Sequence, residues 1–184
     1  MRQTLDLPLG EVRLALDSEA VGRISGYAAV FNEIVPGYRE RVLSGAFAKS
    51  LAGHKAAGTR PVMLWSHRSE EIVGVWDEIT EDARGLKVSG HLITATSRGA
   101  EALELLKAGA VSGLSIGFNT VTSDRDATGI RNLRELDLVE ISIVAVPAMP
   151  SARISAVRSD RTRAAAAFIE AVHATTRSFS RSNP

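Results

Sequence analysis

"VSGLSIGFNTV", residues 111–121, holds Gly113, Ser115 and Gly117 in the Gly-x-Ser-x-Gly spacing that often marks a hydrolase nucleophile. In an α/β-hydrolase that spacing needs a strand before the serine, a sharp turn at it and a helix after it. The acid and the histidine then follow later in the chain. Here the helical pattern comes first. "SRGAEALELLKAG" (97–109) offers Ser97 as an N-cap, Leu103 and Leu106 as an apolar face, and Gly109 as a terminator. The residues after the serine, "FNTV", read as more strand, and the only later histidine is His173, close to the end of the sequence. The elbow therefore fails on chain order. Ser115 belongs to a strand in a different kind of fold, and its two flanking glycines need another explanation.

Working outward, the neighbouring patterns are mostly strands. "GRISGYAAVFN" (22–32) alternates, with glycines that permit close packing, and "RPVMLWSH" (60–67) is an apolar run leading into a loop. "IVGVWDEIT" (72–80) and "GLKVSGHLI" (85–93) flank an acidic, Gly-containing "EDARG" suited to a hairpin. "LVEISIVAVP" (138–147) is another strand, and "TSDRDATGI" (122–130) carries the polar signals of an exposed loop. "GAFAKSLAGH" (45–54) suits a short helix with Phe47 and Leu51 on one face. Two helices among so many strands predict a mainly β (α+β) body, a barrel or sandwich with peripheral helices. The character changes after Pro150, and residues 160–176 are Ala- and Arg-rich. The expected division is a globular body over 1–157 and a helical tail over 158–184.

Composition narrows the function. With 184 residues and 45% apolar content there is ample material for one core, and a net charge of +1 favours neither a nucleic-acid binder nor an acidic solvating protein. The absence of Cys removes disulfides, thiolate metal sites and cysteine nucleophiles together. "MRQTLDLPLG" lacks the apolar run of a signal peptide, and no stretch of apolar residues is long enough to span a bilayer. A soluble intracellular protein with no membrane partner is the expectation. No His-Glu-x-x-His or phosphate-binding Gly-rich motif occurs, and "DATG" (126–129) stands alone where an aspartic protease would need a pair. No metal and no cofactor are expected.

A serine nucleophile requires a base within hydrogen-bond reach and a third group to orient that base, in any chain order. Of the four histidines, His54 reads as a surface residue, His91 as a satisfied sheet residue, and His173 lies in the tail. His67 stands where an apolar strand ends, a place from which a rigid element can aim an imidazole into a cleft. Glu140 interrupts an apolar run, on the face that simple alternation assigns to Leu138 and Val144. A carboxylate there needs a partner. Either an Arg at a sheet edge or an imidazole N–H would serve, and residue types alone do not choose between them.

The ordered set "GYAAVFN", "GAFAKSL", "LWSHRSEEIVG", "GLKVSGHL", "LLKAGAVSGLSIGF" and "LVEISIVAVPAMPSARI" resembles the prohead proteases of tailed phages of the HK97 type, from about Gly22 to Val157. The resemblance implies a β-barrel with peripheral helices like that of herpesvirus assemblin. It implies a serine endopeptidase with Ser115 as nucleophile, His67 as base and Glu140 as the acidic member. It also implies that the substrates are the scaffold segment of the major capsid protein, or a separate scaffold protein, and the protease itself. The setting would be the interior of the assembling prohead in the host bacterial cytoplasm, with the protease as a homo-oligomer and its tail a segment for self-cleavage or shell targeting. Members of the family often carry Pro-Gly where Ser44-Gly45 stands, and Asn before the histidine where Ser66 stands. The alternative from another class is a non-catalytic capsid assembly or scaffold protein that retains the fold.

Overall fold

Alternation builds the barrel wall. In the computed structural model, which describes residues 22–158, β1 (Arg23–Val30) turns Ile24 and Ala28 into the core and leaves Arg23 to solvent. It pairs antiparallel with β5 (Gly85–Leu92) on one side and β8 (Arg153–Arg158) on the other. β5 pairs with β4 (Arg68–Glu81) across a tight turn, where Asp82 Oδ1 accepts from the N–H groups of Arg84 (2.8 Å) and Gly85 (3.1 Å). This is the hairpin expected at "EDARG". β4 pairs antiparallel with β3 (Val62–Trp65), and β3 runs parallel to β7 (Arg131–Val144). β6 (Gly113–Arg125) pairs antiparallel with β7 and meets β8 at Gly113.

The order β7-β3-β4-β5-β1-β8-β6 thus returns to β7 and closes a seven-stranded barrel, with β2 (Glu40–Val42) added parallel to β7. Closure removes most free sheet edges. Trp76, Met63, Leu86, Leu114, Leu138, Ile141 and Ile143 fill the interior, each 0–1% exposed, and the Trp76 indole N–H donates to Ile141 O at 3.3 Å. α1 (Ala48–Ala57) and α2 (Ser97–Lys107) lie outside the wall. The mainly β barrel with peripheral helices is the observed architecture.

Several local expectations change. α1 starts at Ala48, because Phe47 is drawn into the core beside Phe31 and its N–H donates to Glu81 Oε1 at 3.0 Å. α2 is capped by Thr96, whose Oγ1 accepts from Gly99 N–H at 3.1 Å, and not by Ser97. The stretch read as an exposed loop over 122–130 is strand in its first part: β6 runs on to Arg125, paired with β7 as a two-stranded arm, and residues 126–130 form the exposed turn. β6 is exposed on both faces over residues 119–125, so no apolar alternation reveals it. β2 and β8 carried no separate signal. The proposed boundary at 157/158 falls at the end of β8, and the tail beyond it, with His173, lies outside the described residues.

Candidate active site

His67 stands in a two-residue turn between β3 and β4, and no longer loop separates them. Ser66 and His67 both have positive φ, 51° and 62°. Positive φ at both central residues is what a type I′ hairpin turn requires, and Asn or Gly meets it most easily. Two tethers hold the turn against β7: Ser66 N–H donates to Ile143 O at 3.0 Å, and His67 N–H donates to Ser142 Oγ at 3.0 Å. The hairpin therefore folds over the barrel surface and brings the imidazole with it. Because Ser66 is exposed and pays a conformational penalty, Ser66→Asn is expected to raise stability by roughly 0.5–1 kcal/mol. A urea midpoint shifted upward at unchanged slope is the supporting result; a downward shift counts against strain at this position.

Glu140 reaches the same surface through a break in alternation. On β6, Leu114 and Ile116 face the core while Ser115 and Gly117 face outward. Ser115 pairs with Ser142 and Gly117 with Glu140, but Phe118 pairs with Leu138, so β7 carries one extra residue, Val139, at a β-bulge. Leu138 consequently points into the core, whereas Glu140 and Ser142 lie on the outer side with Ser115. The shared face expected for Glu140 and Leu138 is thus corrected, since a one-residue insertion inverts facing. The bulge delivers the carboxylate to the imidazole.

The three side chains form a continuous chain of contacts. Ser115 Oγ lies 3.0 Å from His67 Nε2, and His67 Nδ1 lies 2.6 Å from Glu140 Oε1. An ionised carboxylate can only accept, so Nδ1 carries the proton and Nε2 is left as the acceptor for the Ser115 hydroxyl. Glu140 is 8% exposed, and its second oxygen accepts from the Ser142 hydroxyl at 2.7 Å. Both carboxylate oxygens therefore have partners, which offsets the several kcal/mol that burying a lone carboxylate costs. The expected partner is an imidazole, not an Arg. The His67 side chain remains 45% exposed, open on the side away from Glu140.

Beside Ser115 runs a slot of about 510 Å³ between β6, the end of β1 and β2. Leu114, Leu133, Val42 and Phe118 line it, with Tyr38 and Val146 at its exposed margins. It is open enough to take an extended chain and apolar enough to desolvate side chains.

The two glycines of the opening motif now have separate reasons. A Cβ on Gly113 would lie 2.6 Å from Val144 O and 2.8 Å from Pro147 Cδ, so Gly113 lets the segment after β7 pack down on β6. A Cβ on Gly117 would lie 2.2 Å from Glu140 Oε1, so Gly117 leaves the space the carboxylate occupies. Among the other histidines, His91 Nδ1 sits 3.1 Å from Asp77, as expected of a satisfied sheet residue. His54 is more than a surface residue: it ties α1 to β7, with Nε2 2.9 Å from Leu138 O and Nδ1 2.9 Å from Thr59 Oγ1. Ser142 and the wall formed by β2 went unread in the sequence, and the space Gly117 leaves for Glu140 is visible only in the structure. The spacing Glu140-x-Ser142, which puts two polar groups on one face of a strand, was the available signal for Ser142.

A family model described as caudovirus prohead serine protease matches residues 11–166. The chain belongs to that family. It is 34% identical over 163 residues to the prohead protease of Enterobacteria phage HK97, a match that covers 85% of this chain and 69% of that protein. It is also 34% identical over 118 residues to a capsid polyprotein of Pseudomonas phage PAJU2, covering 59% of this chain and 18% of that protein. Among solved structures, the capsid assembly protease of bacteriophage T4 shares the fold, with a TM-score of 0.56 at 12% identity over 68% of this chain and 82% of that one. The barrel is therefore assemblin-like, and the family carries a peptidase role in phage capsid maturation.

Proposed function

We propose that Ser115, His67 and Glu140 form the catalytic triad of this prohead protease. The observation that carries the reading is the unbroken run from Ser115 Oγ through the imidazole to Glu140, drawn from two strands and a strained turn and opening on an apolar slot. In the proposed reaction Ser115 Oγ attacks the carbonyl carbon of the scissile peptide bond while His67 Nε2 takes its proton. The tetrahedral intermediate collapses as Nε2 returns that proton to the leaving amine, leaving an acyl ester on Ser115. Water, deprotonated by the same nitrogen, hydrolyses the ester and restores the hydroxyl. Glu140 holds the ring in the reactive tautomer and stabilises the imidazolium.

The substrate is an extended segment of the major capsid protein's scaffold region or of a separate scaffold protein, with apolar side chains seated in the slot. The similarity of part of this chain to a capsid polyprotein supports a capsid partner. We place the reaction inside the assembling prohead in the host cytoplasm. The enzyme also acts on its own kind, with the tail after residue 157 as the segment removed, and works as a homo-oligomer. Shortening of the purified chain, read by mass spectrometry, is the supporting result for self-processing; an active enzyme of full length overturns that part.

Covalent labelling tests the nucleophile. An alkyl fluorophosphonate should add a single label, mapped to the peptide containing Ser115, and His67→Ala should slow labelling by at least about 100-fold, the low end of a general base's contribution. Label on a different serine, or equal labelling of both proteins, defeats the assignment.

A further inference from the structure

Ser142 is 0% exposed, does not line the slot, and lies directly across the β6–β7 ladder from Ser115. A buried serine in a strand ordinarily satisfies itself on nearby backbone. This one does not. Its hydroxyl donates to Glu140 Oε2 at 2.7 Å and accepts from the backbone N–H of His67 at 3.0 Å. The directions are unambiguous, because a carboxylate can only accept and a backbone N–H can only donate, and one hydroxyl can do both at once.

We propose that Ser142 is a positioning residue that fixes the acid and the base of the site through a single hydroxyl, an inference that rests on the Ser115–His67–Glu140 reading. The bond to Oε2 sets the rotation of the Glu140 carboxylate so that Oε1 faces Nδ1. The bond from His67 N–H anchors the turn at a residue whose φ of 62° is less readily adopted by His than by Gly or Asn. Without the hydroxyl, a nine-tenths-buried carboxylate oxygen and a turn N–H lose their partners together, and the imidazole is free to leave its line between Ser115 and Glu140. The contact is mechanical for catalysis in a specific sense: Ser142 never meets substrate, so its loss acts on turnover and not on binding.

The test compares Ser142→Ala and Ser142→Cys with native enzyme on a capsid-derived peptide substrate. Cys keeps the volume and so the fold, but its S–H is a weak donor. Both variants should lower kcat about 10- to 100-fold, the rate equivalent of one hydrogen bond to a charged group, with KM unchanged. In the Glu140→Ala background, adding Ser142→Ala should cost clearly less than it does in the native enzyme, because only the anchor on the His67 N–H is then left to lose. Native kcat in the folded Cys variant, or full additivity with Glu140→Ala, overturns the proposal. If Ser142→Ala does not fold, the Cys variant alone decides. The underlying reading fails separately, by turnover of Ser115→Ala, so the two failures cannot be confused.

Discussion

Co-expressed with its capsid protein, Ser115→Ala is expected to leave that protein uncut and to keep its own full length, while the native chain processes both. Loss of a serine nucleophile whose base and orienter remain in place lowers kcat by about 10⁶-fold in comparable hydrolases. Nothing near that size should appear in stability. Ser115 is half-buried, and among the described residues its hydroxyl is engaged with His67 alone, so its removal forfeits one hydrogen bond worth about 0.5–1.5 kcal/mol. A native-like melting curve with no cleavage is thus the supporting pair of results. Cleavage by Ser115→Ala at the native rate would falsify the triad, and the rival reading of a non-catalytic assembly protein gains if native and variant alike leave the capsid protein whole.

The fold was largely legible because its core obeys alternation. Ile24, Ala28, Val73, Val88, Ile141 and Ile143 announce their strands by facing one way, and the 97–109 pattern announces α2. What stayed hidden lacks that signature. β6 over 119–125 is exposed on both faces, and β2 is three residues long, too short for any period. At the site, Ser115, His67 and Glu140 could be nominated as chemistry, but their meeting depends on features a period-two reading excludes. The bulge at Val139 reverses the face of Glu140, and the positive φ of Ser66 and His67 turns a strand end back over the sheet. Both departures cost local stability, and both serve to bring the same imidazole and carboxylate together. Residue types named the parts, while a register shift and a turn conformation made the site.

Gly117→Ala should disable the enzyme almost as fully as deleting Glu140, without unfolding it. The new Cβ would sit 2.2 Å from Glu140 Oε1, 2.8 Å from Cγ and 2.9 Å from Cδ. No such approach is tolerated, so one side must move. Gly117 is held by its pairing with Glu140 in the β6–β7 ladder, which leaves the Glu140 side chain as the part that yields. The displaced oxygen is the one 2.6 Å from His67 Nδ1. The ring then loses both its tautomer lock and its orientation, an effect that costs about 10⁴-fold in kcat when the acid of a serine triad is disabled. Stability should change little. Gly117 has no positive φ, and replacing a strand glycine with alanine recovers roughly 0.5–1 kcal/mol of backbone entropy against the cost of moving one carboxylate. The diagnostic is therefore a melting temperature near native with kcat reduced by three or more orders of magnitude (about 10³-fold at least). In the Glu140→Ala background, where the obstructing side chain is gone, Gly117→Ala should add no further loss. Native turnover in Gly117→Ala would mean that the site does not need Glu140 where it lies, and Ser142 would then have nothing to position.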